Sequence, residues 1–317
     1  MRFKRYLRLA ALLGGMVGAW LPGPAQAIVS STDPAGWLGN ADARLAGVGQ
    51  VQFSGGGTCS ASLLDGGAWV LTAAHCAASS GGQVSFLGGT VTALFSQPSQ
   101  VHVFPTWTGV GADGSGLGHN NDLALIRLDQ AVTQVAGYAL YSGSDPIGLD
   151  VLVTGYGQTG LGTTGAVAGS GGTLHWGRNT YDTRLVGGQS AVFDFDSGAS
   201  ANSLVGGLGH GTAEASLASG DSGGASFIDV AGSLRLVGVH SFIGRDDLGL
   251  ADVDGHLNSS FGEFAGDTEL VTQANRDWLL AVTAVPEPAA AWLWVLGLVA
   301  ITARRTRSVK SPACPIA

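Results

Sequence analysis

The stretch GDSGG at Gly220–Gly224 places one serine hydroxyl among glycines. Taken alone, these residue types favour an ordinary turn. Glycines beside Ser222 also let the backbone bend so that two N–H groups can converge on an oxygen that develops negative charge. The stretch therefore predicts either a plain turn or a turn that carries a nucleophile.

Two further stretches favour the nucleophile. They are LTAAHC at Leu71–Cys76 and NDLALIRL at Asn121–Leu128. Singly, the histidine could be a core residue and the aspartate the start of a strand. A serine hydroxyl, however, is a weak nucleophile until an imidazole takes its proton, and the imidazole needs a carboxylate to fix its tautomer. Together the stretches predict a catalytic triad of His75, Asp122 and Ser222.

The same three stretches, in this order, resemble those of the trypsin/chymotrypsin family of serine endopeptidases. Val153–Gly157 (VTGYG) is similar to a glycine-rich strand end of that family, and Gly238–Phe242 (GVHSF) is similar to the strand that flanks its specificity pocket. The resemblance covers most of residues 28–284. It implies an all-β fold of two packed antiparallel β-barrels with a short C-terminal helix, and an active site in the cleft between the barrels.

The resemblance also implies a role for each of these residues. His75 is the general base and then the general acid, Asp122 orients it, and Ser222 attacks a peptide carbonyl to form an acyl-enzyme. The backbone N–H groups of Gly220 and Ser222 form the oxyanion hole.

The start of the body suggests how such an enzyme is activated. Members of the family insert a new N-terminal Ile-Val amine into a pocket, where it pairs with the aspartate before the nucleophile. Here the pair is Ile28 and Asp221, and a buried carboxylate without a cation is costly. Cleavage after Ala27 would itself create the activating amine. The alternative is that Ile28 and Val29 are merely a first apolar pair.

The predicted specificity pocket departs from the trypsin pattern. The position at its base, six residues before the nucleophile, is Ser216 rather than aspartate, so cleavage after Arg or Lys is not expected. Ser241 and Phe242 border the pocket. Ile243 replaces a usual glycine, and its branched side chain narrows the pocket. We therefore expect small or medium apolar side chains before the scissile bond.

Elsewhere, apolar and β-branched runs alternate with glycine and serine clusters, as in strands joined by turns. The barrels are assigned to about 28–135 and 136–270, and a helix-like apolar spacing assigns a closing helix to 268–282. A formal G-x-G-x-x-G at Gly155–Gly160 precedes a glycine-rich stretch that cannot sustain a helix, so no cofactor is expected. The predicted strands are Val48–Phe53, Ala68–Leu71, Val84–Leu87, Val91–Phe95, Val101–Phe104, Leu123–Leu128, Val151–Val153, Ser226–Val230 and Leu234–Phe242.

Composition narrows the class of function. Only 12% of the 317 residues are charged and 52 are glycine, which excludes a coiled coil and a highly charged disordered chain. The two ends hold eight of the 15 basic residues and one of the 23 acidic ones, which leaves 28–284 with a net charge of about −15. Such a body repels phosphate backbones, so no nucleic-acid partner is expected. The acidic segment Asp246–Asp267 lacks the spacing of an EF-hand loop, so no metal is expected.

Residues 1–27 predict a secretory signal peptide. Four basic residues precede an apolar stretch from Leu9 to Leu21, and Ala25–Ala27 forms an A-x-A site for signal peptidase. The alternative is a first core helix. Export agrees with a disulfide between Cys59 and Cys76, which match a family disulfide beside the catalytic histidine. Cys314 then remains an unpaired cytoplasmic thiol or is lost with the tail.

Residues 285–317 form a three-part tail. Pro286–Pro288 (PEP) precedes an apolar run, Ala289–Ala303, and an arginine cluster follows. The tail resembles the PEP-CTERM sorting signal of Gram-negative bacteria, which implies a membrane-bound exosortase as a partner. The run is shorter than the ~20 residues that span a bilayer comfortably, but it could anchor the chain transiently or permanently. The alternative is an ordinary C-terminal membrane anchor.

These observations predict an exported serine endopeptidase of the cell envelope, the extracellular matrix or the medium, with peptides or proteins as substrates. Two alternatives stay open. One is a catalytically silent surface or matrix binding protein on the same fold. The other is a self-processing protease that cleaves only its own chain or a dedicated partner.

Overall fold

A computed structural model describes residues 28–31, 42–78, 80–109, 121–185, 190–207, 209–246, 249 and 251–284. The predicted signal peptide, the C-terminal tail and Cys314 lie outside these residues. In the described part, no helix is long and apolar enough to cross a membrane. The strands are β1 (Ile28–Ser30), β2 (Val48–Phe53), β3 (Thr58–Leu63), β4 (Trp69–Thr72), β5 (Gly82–Phe86), β6 (Val91–Phe95), β7 (Val101–Val103), β8 (Ala124–Arg127), β9 (Asp150–Gly155), β10 (Thr159–Leu161), β11 (Gly165–Ala166), β12 (His175–Thr180), β13 (Thr183–Arg184), β14 (Ser190–Phe195), β15 (Ala215–Ser216), β16 (Ala225–Val230), β17 (Ser233–Arg245) and β18 (Glu263–Glu269), and the helix is α1 (Gln273–Thr283).

The first barrel is a curled sheet of seven antiparallel strands in the order β6-β5-β2-β3-β4-β8-β7. Alternate residues of these strands point inward, as expected of a sheet with one buried face. The interior is apolar, and the rings of Phe53 and Phe95 meet edge to face with their centroids 5.5 Å apart. Val51, Val84 and Phe86 complete the middle of this core.

The second barrel is also a seven-stranded antiparallel sheet, in the order β12-β9-β16-β17-β18-β14-β13. Its core contains Val153, Tyr181, Phe193 and Val237. A separate small sheet, β11-β10-β1-β15, joins the start of the body to this barrel. There β1 runs parallel to β10, with Ile28 opposite Thr159, and antiparallel to β15.

A further apolar cluster joins the two barrels. It contains Leu71 and Tyr138 from the first half and Phe227 from the second, and the rings of Tyr138 and Phe227 are 4.5 Å apart. Helix α1 closes the molecule against this cluster, because its Trp278 packs on Phe104 at 5.0 Å between ring centroids. The Thr272 hydroxyl caps the helix by accepting a hydrogen bond from the Asn275 N–H.

The predicted fold class, two packed antiparallel β-barrels with a short C-terminal helix, is confirmed. The helix begins at Gln273 rather than Thr268, because residues up to Glu269 form strand β18. The strands that were not predicted are β1, β3, β10, β11, β12, β13, β14, β15 and β18. β14 and β18 carry buried carboxylates, which obscure the apolar pattern that marks a strand.

Candidate active site

Strand pairing brings His75 and Asp122 together. His75 lies in a single helical turn, Ala74–Cys76, just after β4, and Asp122 lies just before β8. These two strands pair in antiparallel register, with Thr72 opposite Ala124. The residues that follow one strand therefore lie beside the residues that precede the other. The disulfide between Cys59 and Cys76, which is confirmed, ties the histidine turn to β3.

Asp122 is fully buried and holds the His75 imidazole from two sides. Its Oδ2 lies 2.6 Å from His75 Nδ1, and its Oδ1 accepts the His75 backbone N–H at 2.8 Å. The Ser241 hydroxyl donates a third hydrogen bond to Oδ2, also at 2.6 Å. A carboxylate bonded in this way favours the tautomer that carries its proton on Nδ1, which leaves Nε2 able to accept a proton. The imidazole keeps 21% of its side-chain surface exposed.

The Ser222 turn lies against the first barrel next to this pair. The Ser222 carbonyl accepts the Ser60 N–H at 2.8 Å, and the Ser60 hydroxyl donates to the Gly220 carbonyl at 3.0 Å. A side chain at Gly223 would place its Cβ 2.0 Å from Thr72 Oγ1, so only glycine permits this approach. The structure therefore packs the Ser222 turn against Thr72 and Ala73, just before His75, and Ser241 of the second barrel reaches Asp122.

The turn also presents two free backbone donors. Among the described residues, the N–H groups of Gly220 and Ser222 donate to no other group. Gly220 has φ +97°, a conformation that favours glycine and that turns the peptide before the nucleophile. Free N–H groups beside a serine can stabilise an oxyanion.

Asp221 is fully buried beneath the turn. Its Oδ1 accepts the Gly157 N–H at 2.8 Å and its Oδ2 accepts the Ala218 N–H at 2.9 Å. Burial raises the pKa of the carboxyl to about 6, although those two N–H groups, the charge of His240 and the Ile28 N–H lower the pKa. Among the described residues, the carboxylate thus has hydrogen-bond donors but no salt-bridge partner.

Two glycines of the G-x-G-x-x-G stretch make room for this carboxylate. A Cβ at Gly155 would lie 2.1 Å from Asp221 Oδ1, and one at Gly157 would lie 2.7 Å from the same atom. Strand β10 follows the stretch, where a dinucleotide site would need a helix. Burial of Asp221 accounts for these glycines in physical terms.

Ile28 lies in the same part of the molecule as Asp221. Its backbone N–H lowers the pKa of the Asp221 carboxyl. The residue is 3% exposed and has φ +69°, a strained conformation for a branched side chain. Strand β1 begins at this residue.

A cavity of about 270 Å³ opens beside Ser222. Three of the four predicted pocket residues, Ser241, Phe242 and Ile243, line this cavity. Ser216 does not line it: the residue is buried in β15 and pairs with Val29. The remaining lining residues are Leu217, Ala218, Ser219 and His240.

His240 is a lining residue to which the sequence analysis gave no role, although it precedes Ser241 directly. Its Nδ1 lies 2.7 Å from Asp267 Oδ1, and its Nε2 lies 3.1 Å from the Thr154 carbonyl oxygen. Tyr181 donates its hydroxyl proton to the other oxygen of Asp267 at 2.5 Å. Both ring nitrogens of His240 are therefore engaged within the protein.

One group of possible metal ligands adjoins the cleft. Cys59, His75 and Cys76 lie close together, but both sulfur atoms form the disulfide and offer no thiolate. A second group, in the second barrel, contains only carboxylates.

A comparison with known proteins shows which class of protein has this fold and this site. The model of the family described as Trypsin matches residues 39–253, and the chain belongs to this family of serine proteases. A solved structure of a Glu endopeptidase in complex with MPD is similar in fold, with a TM-score of 0.51 and 16% sequence identity over 78% of this chain and 95% of that chain. No curated protein sequence matches the chain significantly. Peptides or proteins are the substrates of such a hydrolase.

Proposed function

We propose that the protein is an exported serine endopeptidase in which Ser222 is the nucleophile, His75 the general base and Asp122 the orienting acid. The observation that carries the proposal is the pairing of the buried Asp122 with His75 Nδ1 at 2.6 Å beside the Ser222 turn. That arrangement is of the kind that makes a serine hydroxyl nucleophilic.

The roles of Ser222, His75 and Asp122 determine the steps by which a peptide bond would be hydrolysed. Nε2 of His75 takes the Ser222 hydroxyl proton as Oγ bonds to the peptide carbonyl carbon, and the imidazolium then protonates the leaving amine as the C–N bond breaks. Water adds to the acyl-enzyme by the same route and releases Ser222. The negative oxygen of each tetrahedral intermediate is stabilised by the N–H groups of Gly220 and Ser222.

Covalent labelling with a fluorophosphonate tests this proposal. We expect one label per chain, complete loss of labelling in Ser222→Ala, and normal labelling in the control Ser219→Ala, which alters the same cavity. Folded protein that takes no label would contradict the proposal and favour the catalytically silent binding protein. Labelling without cleavage of any peptide in a library would favour the self-processing protease.

We further propose that signal peptidase activates the enzyme by exposing the Ile28 amine. The position of Ile28 supports this step. Its backbone N–H lowers the pKa of the buried Asp221 carboxyl, and a positive charge at the same place would compensate the carboxylate. One residue added before Ile28 should abolish fluorophosphonate labelling, and the same residue inserted within the exposed loop at Gly56–Gly57 should not. Full activity of the extended chain would refute the step.

The proposed specificity is for small or medium apolar side chains. Leu217, Ala218, Phe242 and Ile243 supply most of the cavity wall. His240 offers no free nitrogen to an acidic side chain, because Asp267 and Thr154 engage both of its nitrogens. A peptide library should show cleavage after Ala, Val or Leu, whereas a preference for Glu, Arg or Lys at that position would overturn this assignment.

The proposed location is the envelope or matrix of a Gram-negative bacterium, reached through the signal peptide and the PEP-CTERM tail, with an exosortase as the sorting partner. The order of the three tail parts supports this. N-terminal sequencing and intact mass of the exported protein should give a start at Ile28 and a truncated C-terminus. A cytoplasmic chain of full mass would contradict both steps.

A further inference from the structure

Three buried carboxylates converge in the second barrel, and none of them belongs to the proposed triad or its pocket. Asp194 lies in β14 and Asp196 directly follows that strand, while Glu214 directly precedes β15. Their exposed fractions are 2%, 0% and 0%. Each offers one carboxylate oxygen, and these three oxygens lie within 4.8 Å of one another.

The cluster has no compensating charge in the described part of the chain. No arginine or histidine there forms an ion pair with any of the three carboxylates. A fourth acid, Asp182, lies beside the cluster, and its Oδ2 accepts the Asp194 N–H at 3.0 Å. Ionised carboxylates buried at this spacing repel each other strongly.

The loop between β14 and β15, described at residues 197–207 and 209–213, holds the carboxylates in place through its backbone. Leu204 N–H donates to Asp194 Oδ2 at 2.8 Å, and His210 N–H donates to Glu214 Oε1 at 2.9 Å. These bonds orient the acids but leave their charge uncompensated.

Asp196 supplies an independent indication of a missing partner. Its Oδ1 accepts the Gly198 N–H at 2.6 Å, but its Oδ2 is buried and has no hydrogen-bond partner among the described residues. Buried polar atoms almost always have a partner, and an orphaned carboxylate oxygen costs more than a neutral one. The orphan acceptor belongs to the same cluster of carboxylates.

We propose that Asp194, Asp196 and Glu214 bind one calcium ion. Calcium takes only oxygen ligands at about 2.3–2.6 Å, so two of its ligands can lie up to about 5 Å apart, which these oxygens satisfy. It also tolerates irregular geometry, as required of carboxylates already fixed by backbone N–H groups. The ion would neutralise the cluster and join the loop between β14 and β15 to both strands.

The position of the site links it to the start of the chain. The Glu214 carbonyl accepts the Ser31 N–H at 2.9 Å, and β15 pairs with β1 at Ala215 and Ser30. Calcium at Glu214 would therefore also stabilise the strand that begins at Ile28. The binding itself does not depend on the proposed catalysis.

The test uses the full chain with Ser222→Ala, which prevents self-cleavage, and calcium chloride alone as the probe. Isothermal titration calorimetry should give one calcium ion per chain. At about 100 times the dissociation constant, the Tm should lie about 5–10 °C above its value in EDTA. The added change Asp196→Asn should weaken binding at least tenfold and remove the Tm rise. In EDTA its Tm should match or exceed that of the parent, because one buried charge is gone.

The control is Asp254→Asn, which removes an exposed acid from the other acidic segment, Asp246–Asp267, and should leave the calcium response unchanged. Should Asp196→Asn fail to fold, Glu214→Gln replaces it with the same expectation. A folded parent that binds no calcium overturns the proposal. So does a response that disappears in Asp254→Asn but persists in Asp196→Asn, or an equal Tm rise with magnesium chloride in place of calcium.

Discussion

The two barrels share a sheet architecture but differ in what they bury. In the described residues of the first barrel, Asp122 is the one buried carboxylate, and it lies at the edge of the cleft. The described part of the second barrel buries seven, which are Asp194, Asp196, Glu214, Asp221, Glu263, Asp267 and Glu269. The first barrel thus buries one acid at the edge of an apolar core, whereas the second barrel buries seven acids in addition to its apolar core.

Each buried acid of the second barrel needs a specific partner. Glu269 pairs with Arg184 at 2.5 Å, and Asp267 accepts from Tyr181 and contacts His240. Glu263 accepts the backbone N–H groups of Asn258 and Ser259. Burial costs a carboxylate much of its hydration, so these contacts are obligatory for the fold. Substitutions in the first core should therefore act through packing, and those at buried acids of the second barrel through charge.

The largest effect should come from the single buried acid of the first barrel. Asp122→Asn should lower kcat about 10⁴-fold, because the amide no longer fixes the His75 tautomer or stabilises the imidazolium. Steady-state peptide hydrolysis measures the loss. The control Asp129→Asn removes an exposed acid of the same barrel and should leave kcat unchanged. A loss below tenfold in Asp122→Asn would mean that the acid serves the fold rather than the reaction.

The second-largest effect should come from a substitution in the apolar core of the first barrel. Phe86→Ala should lower the free energy of unfolding by about 3–5 kcal/mol, because it removes a fully buried ring from the first core. Urea unfolding of the Ser222→Ala chain measures this, and the loss should be equal at pH 4 and pH 7. Leu94→Ala, at a side chain that is 54% exposed, should change the free energy by less than about 0.5 kcal/mol. A pH-dependent loss in Phe86→Ala would break the distinction between the barrels.

A substitution at Asp221, a buried acid of the second barrel, should act through charge. Burial raises the pKa of Asp221 to about 6, above its usual value of 3.8, and we expect the same in a chain with an additional residue before Ile28. Ionisation therefore opposes folding: the penalty is absent below about pH 4, grows as the pH rises to 6 and is complete above that. The free energy of unfolding of the parent should therefore fall between pH 3.5 and pH 7. In Asp221→Asn this fall should be smaller by roughly 3 kcal/mol.

The same substitution should act in the opposite direction in a chain that starts at Ile28. There the α-amine can pair with the carboxylate, so Asp221→Asn should destabilise the protein at pH 7. His240 also lowers the pKa of Asp221, and because it is present in both chains its contribution cancels in the comparison. Identical pH profiles for the two chain starts would contradict the activation pair.

The smallest effect should come from Ser241, which joins the two barrels through its bond to Asp122. Ser241→Ala should lower kcat/KM about tenfold, the approximate value of one hydrogen bond to a charged group. As a positioning residue, it should change kcat and leave KM nearly constant. A change confined to KM would assign it to the pocket wall instead.

The two barrels also differ in how well the sequence predicted them. Six of the seven strands of the first sheet, all except β3, were predicted from apolar or β-branched runs, and Val48–Phe53 and Val91–Phe95 were predicted with their observed bounds. β14 and β18 were not predicted, because their buried acids resemble surface residues in a one-dimensional pattern. Burial of a carboxylate depends on donors that lie far along the chain, so no local window contains the signal.

The sequence by itself determined the class of fold, the family and the chemical types at the site, because the stretches around His75, Asp122 and Ser222 are local and specific. Only the tertiary structure decided which groups compensate one another. Ser241 reaches Asp122, Gly155 and Gly157 make room for Asp221, and Asp194, Asp196 and Glu214 meet in the second barrel. Each of these contacts joins residues from separate strands or loops, and strand register, rather than any nearby sequence, sets their distance.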